Sequence, residues 1–151
     1  MPVPEENPPA PGLNITEVAS RQDDLWVRTV CQGFAEHFPV TDELLEIMGM
    51  FSSTPGARKY LAWVDDKVAG GAALSVRNGI AGFFGASTLP EFRRRGIQRE
   101  LIRGRMVDAA NAGCDIALSF ALVGSSSERN IIRNGFRVAY TRTKFMRELK
   151  K

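Results

Sequence analysis

The stretch TLPEFRRRGIQRELI, residues 88–102, decides how the rest of the sequence is interpreted. An apolar run ends at its start, and a proline, three arginines and Gly96 come before a helical pattern. The first N–H groups of a helix lack partners within the helix and carry partial positive charge, so anions bind there. Gly96 lets a ligand approach the backbone, and the arginines keep their charge. The stretch therefore predicts a strand–loop–helix joint that binds an anion such as pyrophosphate.

The basic residues of the chain are clustered around this joint. The net charge is only +3 over 151 residues, and fifteen of the twenty basic residues are arginine. Six of these arginines lie between Arg93 and Arg105. Such a local cluster favours a phosphate-bearing ligand over a long nucleic-acid track, and no aromatic residues interleave with it. A solvated basic helix face is the alternative explanation of the same arginines.

Cysteine, histidine and apolar content limit the other classes of protein. Cys31 and Cys114 lie in apolar surroundings and are expected to be buried, reduced thiols of a cytoplasmic protein. The single histidine, His37, rules out a His-rich metal site, weakens the case for a catalytic triad, and is expected to face solvent. No run approaches the roughly 18 apolar residues that span a bilayer, so no membrane partner is expected.

The periodicity of apolar residues predicts one domain with a short leading tail. Residues 1–12 are rich in Pro and Glu and are expected to be disordered, and residues 13–151 form the domain. The predicted order is β-α-α-β-β-β-α-β-α-β, an α/β fold with a mixed, mostly antiparallel central sheet flanked by helices. The helices are predicted at 22–36, 41–51, 98–112 and 128–133, and the strands at 13–18, 60–64, 68–76, 80–89, 116–122 and 138–149.

Local signals mark several boundaries of these elements. Thr41 is expected to cap the second helix and Gly113 to end the third, whose buried face would carry Leu101, Ile102, Met106, Ala109 and Ala110. Asn78-Gly79 between apolar runs is a strong hairpin signal.

The strand that precedes the arginine-rich loop contains several small residues. Gly82, Gly85 and Ala86 weaken a strand unless a ligand comes close, a bulge forms, or a helix packs tightly against that face. The residues alone leave all three explanations open.

The order of these motifs resembles the GCN5-related N-acetyltransferases. That family carries Arg or Gln, two residues, Gly, one residue, then Gly or Ala, and here Arg93, Gly96 and Gln98 occupy those places. Gln98 departs from the small residue of the family. Gly135-Phe136 matches the family's Gly-Phe after the last short helix. The resemblance implies the family's fold and acetyl-CoA as the acyl donor.

The resemblance also implies which residues bind the donor. Backbone groups near the end of the third meander strand would pair with the pantetheine arm, and the loop and helix start would bind the pyrophosphate. Ser127 and Asn130 match a variant of the family's later contact, although Ser127 also suits a helix N-cap and Asn130 an exposed helix position. The implied donor-binding residues are Ser87, Thr88, Leu89, Arg93, Arg94, Arg95, Gly96, Ile97, Gln98, Ser127 and Asn130.

No catalytic side chain is assigned from the sequence. Ile131 stands where many relatives have the tyrosine that protonates the thiolate, and Tyr140 is an alternative that also suits simple strand packing. The strand over 80–89 has no acidic residue, so a water-relayed base such as Glu36 or Glu43 is left open.

The functional hypothesis is therefore an acetyl-CoA-dependent N-acetyltransferase that acts on a primary amine of a small molecule or peptide, by direct attack in a ternary complex. The alternative is a non-catalytic acyl-CoA-binding module of the same fold. The expected partners are acetyl-CoA and the amine, without nucleic acid, and the edge of the last strand would allow a homodimer.

Overall fold

A computed structural model of the chain describes residues 10–36, 39–145 and 147. Three predictions lie wholly or partly outside these residues: most of the disordered tail, the solvent-facing His37, and the end of the last strand at 146 and 148–149. The strands are β1 (Leu13–Glu17), β2 (Arg58–Val64), β3 (Lys67–Arg77), β4 (Ile80–Thr88) and β5 (Ile116–Ser119). The helices are α1 (Asp23–Gly33), α2 (Asp42–Ser52), α3 (Ile97–Asn111) and α4 (Ser126–Arg133), with short 3₁₀ turns at Ser20–Gln22 and Pro90–Phe92.

The five strands form one sheet in the order β1-β2-β3-β4-β5. The first four pair antiparallel with their neighbours, and β5 runs parallel to β4. Because β5 follows α3, the parallel pair is made by a crossover through that helix, as a parallel connection requires. The mixed, mostly antiparallel sheet with flanking helices confirms the predicted fold class.

Two tight turns set the register of the meander. Asp65 and Asp66 have φ of 48° and 63°, and Asn78 and Gly79 have φ of 51° and 75°. Two consecutive left-handed residues are the backbone of a type I′ hairpin turn, which matches the twist of the strands. The hairpin that Asn78-Gly79 predicts is therefore confirmed.

The alternation of side chains along the strands divides the core into two layers. One face of the sheet packs against α1 and α2, and the other against α3 and the residues around α4. Leu61 and Ala73 belong to the first layer, and Ala62 and Leu74 to the second. The buried apolar side chains of α1 and α2 are Trp26, Val27, Val30, Cys31 and Met48.

The buried stripe of α3 lacks one predicted residue, Ala110, and includes Ile97, Glu100 and Arg105, which were not predicted. Four of the five predicted residues are buried, but Ala110 is exposed and Arg105 lies in the core with 2% of its surface exposed. The Arg105 guanidinium donates to the backbone oxygens of Leu101 and Ala73 and lies 4.4 Å from the centroid of the Phe83 ring. Burial lowers the pKa of Arg105 to about 9. The sequence did not indicate this burial, because a charged arginine is costly to bury. Here the backbone oxygens and the aromatic ring around Arg105 offset that cost.

The predicted last strand over 138–149 is wrong for the residues that the structure describes. Residues 138–145 and 147 adopt no strand, and Val138 and Tyr140 are 65% and 71% exposed. The edge strand β5 has four residues, Ile116–Ser119, against the seven predicted at 116–122. A ladder this short gives a sixth strand little to pair with, and alternation of side chains does not by itself supply a partner.

Candidate functional site

The strands β4 and β5 separate partway along β4. Their pairing ends at Phe83 and Ser119, although β4 continues to Thr88. From Phe84 onward, the edge of β4 that faces away from β3 therefore has no ladder with β5. An extended ligand can add to such an edge as an extra strand through its main-chain amides.

A β-bulge lies where this free edge begins. Gly71 pairs with Ser87 and Ala73 with Phe84, so Ala72 alone stands opposite Gly85 and Ala86. Gly85 has a φ of +57°, a left-handed conformation that favours glycine at a bulge. Gly85 and Ala86 therefore form a bulge, one of the explanations that the sequence left open, whereas Gly82 lies in the regular ladder opposite Ser75.

Trp26 of α1 holds the bulge in place. Its indole Nε1 donates to the backbone oxygen of Ala72 at 3.0 Å, the residue that faces the two bulged positions. A Cβ atom on Gly85 would come within 3.0 Å of the Trp26 ring. The sequence identified Trp26 only as a core residue of the first helix. The sequence did contain a signal for this contact, because the indole N–H of a core tryptophan needs a hydrogen-bond acceptor, and Trp26 is fully buried.

Two residues of the arginine-rich loop adopt a left-handed backbone conformation before α3 begins. Arg94 has a φ of +61° and Gly96, the residue that precedes α3, a φ of +78°. The first N–H bonded within the helix is that of Glu100, to the oxygen of Gly96 at 3.1 Å. The N–H groups from Gly96 to Gln98 thus have no partner within the helix, and alternating backbone conformations of this kind converge N–H groups on an anion.

Arg93 joins the loop to the end of α1. One guanidinium nitrogen lies 2.5 Å from the carboxylate of Glu36, and another donates to the oxygen of Gly33 at 3.2 Å. The Nε atom lies 3.5 Å from the oxygen of Thr88. The structure therefore places Arg93 as a brace between β4, the loop and α1, and commits Glu36 to an ion pair.

Arg94 and Arg95 are the exposed cations of the loop. Both side chains are exposed, and the Arg95 guanidinium lies 5.5 Å from the centroid of the Phe92 ring. Arg99 instead forms an ion pair with the buried Glu100 at 3.0 Å. The loop therefore presents two guanidinium groups to solvent beside the free N–H groups of α3.

Gln98, Ser127 and Asn130 meet across the gap between α3 and α4. The Gln98 amide donates to the Ser127 hydroxyl at 3.1 Å and accepts from the Asn130 amide at 2.7 Å. Gln98 stands where the resembling family has a small residue, so the departure gives α4 a hydrogen-bonded contact with the start of α3. The N-cap of α4 is Ser125, whose hydroxyl accepts from Glu128 N at 3.1 Å, and not Ser127.

Three further donor-site candidates, Ser87, Leu89 and Ile97, make contacts within the fold. The Ser87 hydroxyl donates to the oxygen of Val30 at 3.0 Å, and the Leu89 N–H donates to the oxygen of Ala69 at 2.9 Å. Ile97 is buried in the α3 layer. Side chains of these three residues therefore support the strand and the helix start rather than face solvent.

The residues considered for acid or base catalysis have other surroundings in the part of the chain that the structure describes. Ile131 packs against the α3 layer, and Tyr140 is exposed outside any strand. Hydrogen bonds from its own backbone N–H and from Thr41 lower the pKa of Glu43, which lies in the first turn of α2. Thr41 caps that helix as predicted, accepting from Leu44 N at 3.2 Å.

Over residues 10–36, 39–145 and 147, no group of three or more His, Cys, Asp or Glu side chains is placed to hold a metal ion. No helix in this part of the chain is long and apolar enough to cross a membrane.

A family model described as "Acetyltransferase (GNAT) family" matches residues 23–131. That span contains the bulge, the arginine-rich loop and all of α3. A search of proteins with curated functions finds no match.

Solved structures share the whole architecture. AAC(6′)-Iy in complex with a bisubstrate analogue, CoA-S-monomethyl-acetylneamine, is 22% identical with a TM-score of 0.68, covering 91% of this chain and 98% of that one. The 6′-N-acetyltransferase AAC(6′)-IG of Acinetobacter haemolyticus is 21% identical with a TM-score of 0.68, covering 91% and 99%. A transcriptional regulator of Bacillus halodurans C-125 is 14% identical with a TM-score of 0.68, covering 89% and 99%. At these identities the likeness establishes the fold.

Proposed function

The chain belongs to the acetyltransferase (GNAT) family, and from this premise we propose that it transfers the acetyl group of acetyl-CoA to a primary amine by direct attack in a ternary complex. One observation carries the proposal. The free edge of β4 leads without interruption into the arginine-rich loop and the start of α3, so one continuous segment offers both a strand edge and an anion site.

The donor fits what these residues offer. Acetyl-CoA supplies an activated thioester at one end of an amide-bearing arm and a pyrophosphate at the other. We assign the arm to the free edge of β4 up to Thr88, and the pyrophosphate to the N–H groups from Arg94 to Gln98. Arg94 and Arg95 add charge to the same site, and Arg93 positions the loop through Glu36.

The contact of Ser127 and Asn130 with the donor stays a proposal in a modified form. Their side chains are held by Gln98, so we assign them to positioning α4 beside the helix start, at the rim of the same site. On this assignment the arginine-rich loop contacts the donor directly, and α4 borders the outer side of the donor site.

The transfer step relies on the backbone rather than on a named acid or base. We assign the polarisation of the thioester carbonyl to an N–H of the bulge at Gly85–Ala86, because Trp26 fixes that backbone rigidly. The thiol of the leaving group is acidic enough to depart without a strong proton donor. The amine proton passes to water, since β4 bears no carboxylate.

Donor binding is tested by titration calorimetry with acetyl-CoA. We expect Arg94→Glu combined with Arg95→Glu to weaken binding about 100-fold, since each lost charge-assisted hydrogen bond to phosphate is worth about 1.5–3 kcal/mol. The matched control, Arg21→Glu with Arg28→Glu, makes the same charge change at exposed residues before and within α1 and is expected to bind like the parent protein. Absence of binding by the parent protein at high micromolar acetyl-CoA would refute the proposal.

Turnover separates an enzyme from a module that only binds acyl-CoA. Release of the CoA thiol, followed with a thiol reagent across a panel of amines, is expected for at least one acceptor. Tight binding of acetyl-CoA with no thiol release on any amine would favour the binding module.

Location and assembly are parts of the proposal as well. We propose a cytoplasmic protein, since both Cys31 and Cys114 are buried free thiols. We also propose that two copies pair in solution through the apolar edge at β5, where Ile116 is 52% exposed. Sedimentation at several protein concentrations tests this pairing.

A further inference from the structure

An apolar cavity of about 140 Å³ lies between the first two helices and the bulged strand. It opens on the sheet face opposite α3, beside the point where β4 leaves β5. Its lining residues are Phe34, Met48, Phe51, Phe84 and Gly85. No charged or hydrogen-bonding side chain is among them, so the cavity suits a hydrocarbon group.

The cavity is a direct result of the bulge. Two successive strand residues normally point to opposite faces of a sheet, but Phe84 packs in the α1 and α2 layer and Gly85 also faces Trp26 there. Gly85 contributes no side chain, which leaves an open floor beside the Phe84 ring. The Phe51 ring of α2 lies 6.2 Å from the Phe84 ring and forms the opposite wall.

We propose that this cavity binds the acceptor, and that the acceptor is an amine that carries an aromatic ring or a branched aliphatic group. The inference rests on the proposed function, because it places the acceptor beside the thioester at the start of the free β4 edge. The size agrees with one ring, since a dry apolar cavity of about 150 Å³ in another protein binds benzene.

The same lining disfavours polyhydroxylated acceptors. A sugar hydroxyl buried against Phe34, Met48 and Phe84 would lose its hydrogen bonds to water without replacement, which costs about 1–3 kcal/mol for each group. This distinguishes the cavity from a site for aminoglycosides such as the acetylneamine analogue bound by AAC(6′)-Iy.

The rim of the cavity continues the apolar surface. Phe51 of α2, which lines the cavity, is itself 48% exposed, so its ring reaches the surface of the helix. An apolar side chain that enters from this helix therefore stays in contact with hydrocarbon along its path. Exposed apolar area concentrated beside a cavity is typical of a ligand-binding groove.

The experiment has two independent readouts. Binding of 4-fluorophenethylamine is followed by ¹⁹F NMR in the presence of CoA, and transfer is followed by thiol release with acetyl-CoA. We expect phenethylamine and isoamylamine to exceed ethylamine in kcat/KM by roughly 10- to 100-fold, the range for burying one such group. Kanamycin and spermidine are expected to fall below ethylamine.

A pair of variants locates the effect. Phe51→Ala removes a cavity wall at a half-exposed position and is expected to lower kcat/KM for phenethylamine about 10-fold, and that for ethylamine by a smaller factor, because ethylamine is too short to fill the cavity. Met50→Ala, at the neighbouring exposed position that does not line the cavity, is expected to match the parent protein for both amines.

Three results would overturn the inference, and they differ from a failure of the proposed function. Faster transfer to kanamycin or spermidine than to phenethylamine rejects the apolar acceptor while transfer itself stands. A preference for butyryl-CoA over acetyl-CoA that Phe51→Ala removes would assign the cavity to the acyl chain of the donor. Equal ¹⁹F broadening by the parent protein and Phe51→Ala rejects the location. If the parent protein broadens the ¹⁹F signal, Phe51→Ala does not, and no thiol is released, then the cavity is supported and only the transfer is rejected.

Discussion

Gln98 shows how one substitution in a family motif alters its surroundings. A small residue there leaves the start of α3 open, whereas the Gln98 side chain reaches both Ser127 and Asn130. Gln98 lies 29 and 32 positions before these two partners in the sequence, and no local pattern connects them. The structure thus explains why a motif departure and an unusual downstream Ser and Asn occur in the same chain.

We expect Gln98→Ala to loosen α4 without unfolding the core. Loss of two partly buried hydrogen bonds is expected to lower the free energy of unfolding by about 1–2 kcal/mol. Amide hydrogen exchange of residues 126–133 is expected to accelerate, while that of β3 is unchanged.

A double-mutant cycle tests whether the contact itself is responsible. Gln98→Ala and Ser127→Ala, singly and together, are expected to give a coupling energy of at least about 0.5 kcal/mol. Strict additivity of the two substitutions would show that the side chains do not interact.

Tyr60 is a buried phenol with a charged partner. Its hydroxyl donates to the carboxylate of Asp108 at 2.6 Å, and burial together with this carboxylate raises the pKa of Tyr60 above its ordinary value. The folded chain therefore holds the phenol proton more tightly than the unfolded chain does. The associated stability is fully present below about pH 10, the ordinary pKa, and is lost as the pH rises above it.

We expect Tyr60→Phe to flatten the loss of stability at alkaline pH. Urea unfolding of the parent protein and the variant between about pH 8.5 and 11 measures the slope. Tyr140→Phe removes the exposed tyrosine and is expected to keep the parental slope. An identical slope for the parent protein and Tyr60→Phe would show that Tyr60 does not govern this pH range.

At the level of elements, the bulge in β4 depends on a helix that lies next to it in space. The Trp26 indole of α1 satisfies the oxygen of Ala72, which the irregular ladder leaves opposite two residues. A second tryptophan, Trp63 on β2, donates to the Thr16 hydroxyl at 2.8 Å in a half-buried position. The two indoles offer a matched comparison of a buried and a peripheral contact.

We expect Trp26→Phe to lower the free energy of unfolding by roughly 2–4 kcal/mol, because it leaves a buried backbone oxygen unsatisfied and shrinks a fully buried side chain. It is also expected to slow acetyl transfer, since the bulge would lose its support. Trp63→Phe is expected to cost about 1 kcal/mol or less. Thermal unfolding and thiol release measure the two effects, and equal losses for both variants would refute the role of Trp26.

The elements that sequence reasoning located are those with local causes. The Thr41 cap, the Asn78-Gly79 turn and the αL glycine at Gly113 each depend on neighbouring residues. The strand expected over 138–149 depended on a distant partner that β5 is too short to provide. Likewise, a bulge at Gly85 was one of several explanations for the small residues of this strand. The sequence could not choose between them, because the choice depends on how Trp26 packs against Gly85.

The same distinction between local and distant causes applies to the candidate site. The strand–loop–helix joint was predictable because the strand end, the arginines and Gly96 are contiguous, and its binding of an anion stays a prediction. The apolar cavity was not readable, since its lining comes from α1, α2 and β4 and depends on a change of side-chain direction at the bulge.

In the whole molecule, each layer of the core contains one cysteine. Cys31 is fully buried in the layer of α1 and α2, and Cys114 is 4% exposed in the layer of α3. Burial raises the pKa of the Cys31 thiol, which further lowers its reactivity. The two thiols therefore report separately on the two layers.

We expect neither thiol to react with Ellman's reagent in the native protein within minutes at pH 8, and both to react in urea. Single variants Cys31→Ala and Cys114→Ala, labelled during stepwise denaturation, are expected to give the same midpoint if the sheet unfolds as one cooperative unit. Rapid labelling of either native thiol would contradict the burial described above.

The helix α2 forms one wall of the apolar cavity, but it contributes nothing to the anion loop. On the proposed assignment, changes at Met48 or Phe51 would alter which amine is accepted while the loop around Gly96 still binds the nucleotide end of the donor. Such a division of labour between two segments makes the protein a suitable starting point for laboratory evolution. Libraries confined to α2 would sample new acceptors, and retention of clones on an immobilised CoA column would remove those that no longer bind the donor.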